Sequence, residues 1–170
     1  RGLGDVYKRQ PLVTGSSPET ENKLSNMGST VSLFDFQTGQ PIGVAIPFPG
    51  FNGQIRVASG DFNLDGRTEI VAGAGSGGGP AVVILDSQTG LARTSFFAYD
   101  QNFTGGVFVA VKDINNDGIS DIITGAGTGG GPHVKVFNGV DLQEIRSFFA
   151  YAEIFTGGVS VATADINGDG

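Results

Sequence analysis

The chain has 170 residues, 17 acidic against 10 basic, a net charge of −7 and no cysteine. This composition excludes disulfide staples and thiolate metal sites, and no basic patch favours nucleic acid. No apolar run is long enough to span a bilayer.

Residues 1–10, RGLGDVYKRQ, resemble the translation of a sequencing-library adapter and are set apart from the fold. Residues 11–60 read as a degenerate copy of the two units that come after them in the chain. PLVTG at 11–15 stands where DIITG stands at 121–125, and TVSLFDFQTG at 30–39 matches AVVILDSQTG at 81–90. The insertion ETENKLSNMGS between them reads as a surface loop. Residues 61–112 and 113–164 then align without a gap, with about half of the positions identical. GAGSGGGP at 73–80 becomes GAGTGGGP at 125–132, SFFAY at 95–99 recurs at 147–151, and FTGGV at 103–107 recurs at 155–159. Residues 165–170 open a third unit, and the sequence stops inside its first loop. The whole is expected to be an internal stretch of a longer, environmentally derived protein.

Within a unit the apolar period is two. Val107, Val109 and Val111 alternate with Phe108, Ala110 and Lys112, and Val134 and Val136 with His133, Lys135 and Phe137. Such alternation sends successive side chains to opposite faces of a strand. Four strands are predicted in one unit, near 106–112, 121–125, 133–138 and 143–150, with glycine-rich breaks between them. A period of 52 residues and four antiparallel strands predict an all-β fold, a β-propeller fragment built of four-stranded blades. A β-solenoid is the rival, but its coils are usually shorter.

Each unit opens on an acidic loop: DFNLDGRTE at 61–69, DINNDGISD at 113–121 and DINGDG at 165–170. Oxygen side chains at loop positions 1, 3 and 5 with glycine at 6 are what a hard cation such as Ca²⁺ needs. Those oxygens belong to Asp61, Asn63 and Asp65, to Asp113, Asn115 and Asp117, and to Asp165, Asn167 and Asp169. The loops hold eight of the 17 acidic residues, so they account for the charge imbalance. A solvated turn is the bland reading, since Asp, Asn and Gly are ordinary turn formers. Repetition in register weighs against it. An EF-hand would need glutamate at loop position 12, where Ala72 and Thr124 stand. Mg²⁺ suits the loops less, because it demands octahedral geometry and keeps its waters.

Other motifs carry less. Gly73-Ala74-Gly75-Ser76-Gly77-Gly78 follows a strand, but Pro80 and a second strand come next rather than the helix a nucleotide site opens. It reads as a structural turn. His133 is the one histidine, and its counterpart is Ala81, so it reads as a surface residue. No serine–histidine or cysteine–histidine pair is arguable. Phe96, Phe97, Phe148 and Phe149 read as packing between blades, ahead of a sugar-stacking platform. The sequon at Asn102 has Ile154 as its counterpart and reads as chance.

The loops and their flanking strands resemble the FG-GAP and VCBS repeat families, which include the integrin alpha-subunit propeller. The resemblance covers residues 11–170. It implies a β-propeller that binds Ca²⁺ between the first two strands of a blade, in a secreted or cell-surface protein of bacterial type. By position it adds Glu69 and Asp121 as side-chain ligands at loop position 9, and the backbone carbonyls of Arg67 and Ile119 at position 7. Two departures stand out: Glu69 replaces the usual aspartate, and GAGxGGGP replaces a short GAP. The third loop lacks position 9 and is half a site. The resemblance implies a non-enzymatic scaffold for an unknown protein or glycan ligand, flanked by neighbouring blades of a longer chain. The alternative is a non-catalytic propeller attached to a secreted polysaccharide-active or other hydrolytic enzyme.

Overall fold

The computed structural model describes residues 12–15, 28–35 and 37–164. The two-residue alternation yields eleven strands and, among those residues, no helix. The first sheet holds β1 (Leu12–Gly15), β2 (Val31–Phe34) and β3 (Pro41–Ala45). The second holds β4 (Ile55–Gly60), β5 (Glu69–Ala74), β6 (Ala81–Leu85) and β7 (Ala92–Phe97). The third holds β8 (Val107–Lys112), β9 (Asp121–Ala126), β10 (His133–Phe137) and β11 (Glu144–Phe149). Every sheet is an antiparallel meander in chain order. These are blades of a β-propeller. The expected strands of one unit coincide with β8 to β11 within one residue at each end.

The sequence period and the sheet are out of phase by one strand. Residues 61–112 supply β5, β6 and β7 to the second sheet and β8 to the third. The acidic loops therefore lie inside a blade, joining β4 to β5 and β8 to β9.

Alternation decides which sheet each side chain meets. Ile70 and Ala72 on β5, with Val83 and Leu85 on β6, face Val31, Leu33 and Ala45 of the first sheet. The residues between them, Val71, Val82 and Ile84, face Val107, Val109, Ile122 and Phe137 of the third. A strand with both faces covered reads as a continuous apolar run, and β5 and β9 are buried along their whole length. The fourth strands, β7 and β11, are almost wholly exposed.

The repeat is visible in the backbone as well. Each sheet has a register shift between its last two strands, at Leu33/Phe34, Ile84/Leu85 and Val136/Phe137. The turn before it is closed the same way in the first two sheets. Asp35 Oδ1 accepts from the amides of Gln37 and Thr38 and from the Thr38 hydroxyl, as Asp86 Oδ1 does from Gln88 and Thr89.

The glycine tract brings neighbouring backbones close together. A Cβ on Gly73 would fall 2.8 Å from the Val107 carbonyl oxygen, so only glycine lets β8 pass there. Gly77 N–H donates to Thr104 O at 2.8 Å, and Gly129 N–H to Thr156 O at 2.8 Å. Beyond β11, Val159 N–H donates to Ala126 O at 2.9 Å, and Val159 and Val161 pack on the open face of the third sheet.

Two aromatic expectations need correction. Of the four phenylalanines, Phe96 packs between sheets, with its ring 4.8 Å from that of Phe137. Phe97 and Phe148 are about half exposed, at 54% and 50%. Phe149 stacks on His133 within its own sheet at 4.7 Å. Phe96 meets the third sheet, which follows its own, whereas among the described residues no sheet follows β11 to meet Phe148. His133 is half-buried rather than a plain surface residue: its ring lies between Tyr99 and Phe149, and Nε2 is 2.7 Å from Ser147 Oγ.

Tyr99 joins the second sheet to the third. Its hydroxyl donates to His133 O at 2.9 Å and lies 3.2 Å from Thr124 Oγ1. Burial raises its ionisation to about 12, partly offset by the Thr124 hydrogen bond. An acid with a raised folded pKa stabilises the fold below the unfolded value, about 10, and loses that contribution as pH climbs through the folded value. Ultraviolet titration should therefore show a tyrosine with a midpoint near 12. The junction should weaken between pH about 10 and 12, and Tyr99→Phe should remove that dependence. A Tyr99 midpoint at the ordinary value would refute the buried bond.

Candidate metal centre

Both complete loops adopt one backbone path. Position 4 has positive φ without being glycine, at Leu64 (59°) and Asn116 (60°), and position 6 has it at Gly66 (79°) and Gly118 (88°). Nothing lies within 4 Å of a Cβ built on Gly66 or Gly118. Those glycines are required by conformation, not by space.

In the first loop, Asp61 Oδ1 accepts from Asn63 N–H (3.1 Å) and Leu64 N–H (2.7 Å), and Oδ2 from Gly66 N–H (3.0 Å). Asn63 Oδ1 accepts from Asp65 N–H (3.0 Å), and Asp65 Oδ1 from Arg67 N–H (2.8 Å). Asn63 Nδ2 donates to Asp65 Oδ2 (3.1 Å) and to Glu69 Oε1 (3.4 Å), so positions 3, 5 and 9 come together. Glu69 Oε2 accepts from Phe62 N–H at 3.0 Å.

The second loop repeats the pattern. Asp113 Oδ2 accepts from Gly118 N–H (2.8 Å), Asn115 Oδ1 from Asp117 N–H (2.9 Å), and Asp117 Oδ1 from Ile119 N–H (2.8 Å). Asn115 Nδ2 donates to Asp117 Oδ2 at 2.8 Å. Asp121 is fully buried, and its two oxygens accept from Ile114 N–H and Gly139 N–H, each at 2.9 Å. The loops are also joined directly, since Ser120 N–H donates to Asp61 O at 3.1 Å. Asp165, Asn167 and Asp169 lie outside the described residues.

The donor chemistry fits a hard divalent cation: every candidate ligand is an oxygen, and those that accept a single N–H, such as Asp61 Oδ2, Asn63 Oδ1 and Asp65 Oδ1, keep a lone pair beyond it. Among the described residues, no three His, Cys, Asp or Glu side chains are gathered at metal-binding geometry. A neutral amide donor and one cation stand among the carboxylates instead. The Asn63 amide lies between Asp65 and Glu69, and Arg93 Nη1 lies 2.7 Å from Glu69 Oε1.

Arg93 was not legible from the loop motif. Its signal lay elsewhere in the alignment: where Asp121 replaces Glu69, Ile145 replaces Arg93. Gly139, which donates to Asp121 from 18 residues away, carries no sequence signal at all.

No family model matches the chain. Integrin alpha-8 of Gallus gallus is 38% identical over 137 residues, covering 74% of this chain and 12% of that protein. The chain carries integrin-alpha-like FG-GAP repeats. Integrin alpha-8 of Mus musculus is 35% identical over 77 residues, covering 41% of this chain and 7% of the relative. The FG-GAP repeats thus span about an eighth or less of these relatives' length. Among solved structures, the exotype rhamnogalacturonan lyase YesX superposes with a TM-score of 0.56 at 10% identity, over 81% of this chain and 30% of the lyase. At that identity the likeness concerns the fold alone.

Proposed function

We propose that these FG-GAP repeats bind Ca²⁺ at the loops 61–69 and 113–121, and that the metal fixes inter-strand hairpins of an extracellular or cell-surface scaffold. The observation that carries this reading is one loop conformation, kept in two copies with oxygen ligands at positions 1, 3, 5 and 9. Asp61, Asn63, Asp65 and Glu69 would hold one ion, with the Arg67 carbonyl. Asp113, Asn115, Asp117 and Asp121 would hold the other, with the Ile119 carbonyl. The half-loop of Asp165, Asn167 and Asp169 is the start of a third site. A bound ion would supply charge neutralisation, and a saturated oxygen shell leaves little room for substrate, so the repeats are assigned no catalysis. The partner class is a protein or a glycan. The similarity to integrin alpha-8 supports the extracellular placement, and the lyase likeness carries no activity to this chain.

Calorimetric titration with CaCl₂ should show about two sites, with affinities of about 10⁻⁴–10⁻³ M as for extracellular modules. Asp117→Ala should remove one site, and EDTA should lower the melting temperature. Absence of binding heat together with a melting temperature indifferent to EDTA would leave the loops as plain turns. Glycan and matrix-protein arrays then test for the ligand.

A further inference from the structure

The register shift in the second sheet pairs Ile84 with Thr94 and Leu85 with Ala92, leaving Arg93 as the extra, bulged residue. Bulges re-aim a side chain. Here the bulge sends the guanidinium across β6 to Glu69, at 2.7 Å, where the carboxylate is almost fully buried and the arginine partly exposed. The same bulge position is held by Ile42 in the first sheet and Ile145 in the third, and both are exposed. Position 9 changes in step with it. Both position-9 carboxylates accept the equivalent loop amide, Phe62 N–H or Ile114 N–H, and only the second partner differs: Arg93 for glutamate with its longer arm, Gly139 N–H for aspartate.

We infer that Arg93 is a built-in counter-cation that makes the two loops unequal, so that 61–69 holds its shape without metal and binds Ca²⁺ more weakly than 113–121. The inference rests on the calcium reading of the loops. A divalent ion entering the first loop meets a carboxylate already neutralised, and a fixed positive charge within one side chain's reach. In the dielectric of water, a unit charge at about 4 Å, further screened by salt, opposes a divalent ion by about tenfold in affinity. In the second loop the partners of Asp121 are two neutral backbone amides, which carry no net charge to oppose the ion. Calcium therefore fills the loops in order, 113–121 first, and the first loop responds only at higher concentration.

Amide resonances of Gly66 and Gly118 report the two loops separately during a CaCl₂ titration of the whole chain. Gly118 should reach its midpoint at about tenfold lower calcium than Gly66. In Arg93→Ile, which installs the residue found at the equivalent bulge, the Gly66 midpoint should fall about tenfold while that of Gly118 stays put. The variant should also melt lower in EDTA and recover more on adding calcium, which a purely structural arginine would not produce. Arg93→Gln keeps an N–H donor for Glu69 and removes only the charge. It should shift Gly66 in the same direction, and it serves if the isoleucine variant does not fold. A Gly66 midpoint at or below that of Gly118 in the unmodified chain overturns the inference, as does one that stays unchanged or weakens on removing the charge. Silence at both glycines sinks the calcium reading and this inference with it, whereas equal binding indifferent to Arg93 sinks this inference alone.

Discussion

Asp121→Ala is expected to cost about 2–4 kcal/mol even in EDTA, where no metal contributes. The reason is the place of the carboxylate in the fold, independent of calcium. Asp121 is fully buried at the start of β9, and its two oxygens are the acceptors for Ile114 N–H and Gly139 N–H. One bond closes the acidic loop onto its own strand, and the other ties the β10–β11 turn to the same point. Alanine leaves two backbone donors without a partner in a half-buried setting, and hydrogen bonds to a charged acceptor contribute about 1.5–3 kcal/mol each. Asp121→Asn keeps one acceptor but turns an NH₂ toward a donor, so it should recover only part of the loss. Asp117→Ala, at an exposed loop position, should change stability in EDTA by less than about 0.5 kcal/mol. Urea midpoints for the three variants give the order directly. If Asp121→Ala unfolds at the same urea concentration as the parent chain, the two bonds do not anchor the loop. Because domains are stable by only about 5–15 kcal/mol, the predicted loss is a large share of the total.

That anchoring role explains why position 9 resists a simple reading from sequence. The motif presents Asp121 and Glu69 as two more oxygens in a row, yet beyond the loop amide that each accepts the structure gives them different second partners. The second partner of Asp121 is an amide in the β10–β11 turn, and no local spacing encodes that meeting. Arg93 is hidden for a related reason: its approach to Glu69 depends on a bulge, and bulges are set by cross-strand register. The strands were legible because alternation is a local property. Val107, Val109 and Val111 need only their own order to declare one face, and the second copy checks the reading. The phase of the blade was legible as well: the four strands predicted over 106–150 begin before the acidic loop, and pairing places β8 to β11 in one sheet. Phe96 and Phe148 are identical in sequence context, and Phe96 meets Phe137 of the following sheet; for Phe148 the described residues hold no following sheet.

Ile122→Ala is expected to lower stability by about 2–5 kcal/mol, and Ile122→Val by about 0.5–1.5 kcal/mol. Ile122 is fully buried on β9, in the cluster that includes Val71 and Val82 of the second sheet and Val107 and Phe137 of the third. Truncation opens a cavity between two sheets whose strands remain hydrogen-bonded within themselves, so the damage falls on their docking. Ile70 holds the equivalent place in the cluster between the first and second sheets. Repeat folds behave as chains of nearest-neighbour interfaces. Ile122→Ala should therefore lower hydrogen-exchange protection chiefly in β8 to β10 and at Ala98, whose amide bonds to Pro80 O beside this junction. Protection in β2 should fall less. Ile70→Ala should show the reverse, and the two losses should add within about 0.5 kcal/mol. Ile154→Ala supplies the control, since that side chain is 91% exposed and should shift the urea midpoint little. Uniform loss of protection in both variants would mean that the sheets unfold as one unit. The two apolar seams would then be a single core, and the separation of faces by alternate residues along β5 and β6 would have no energetic meaning.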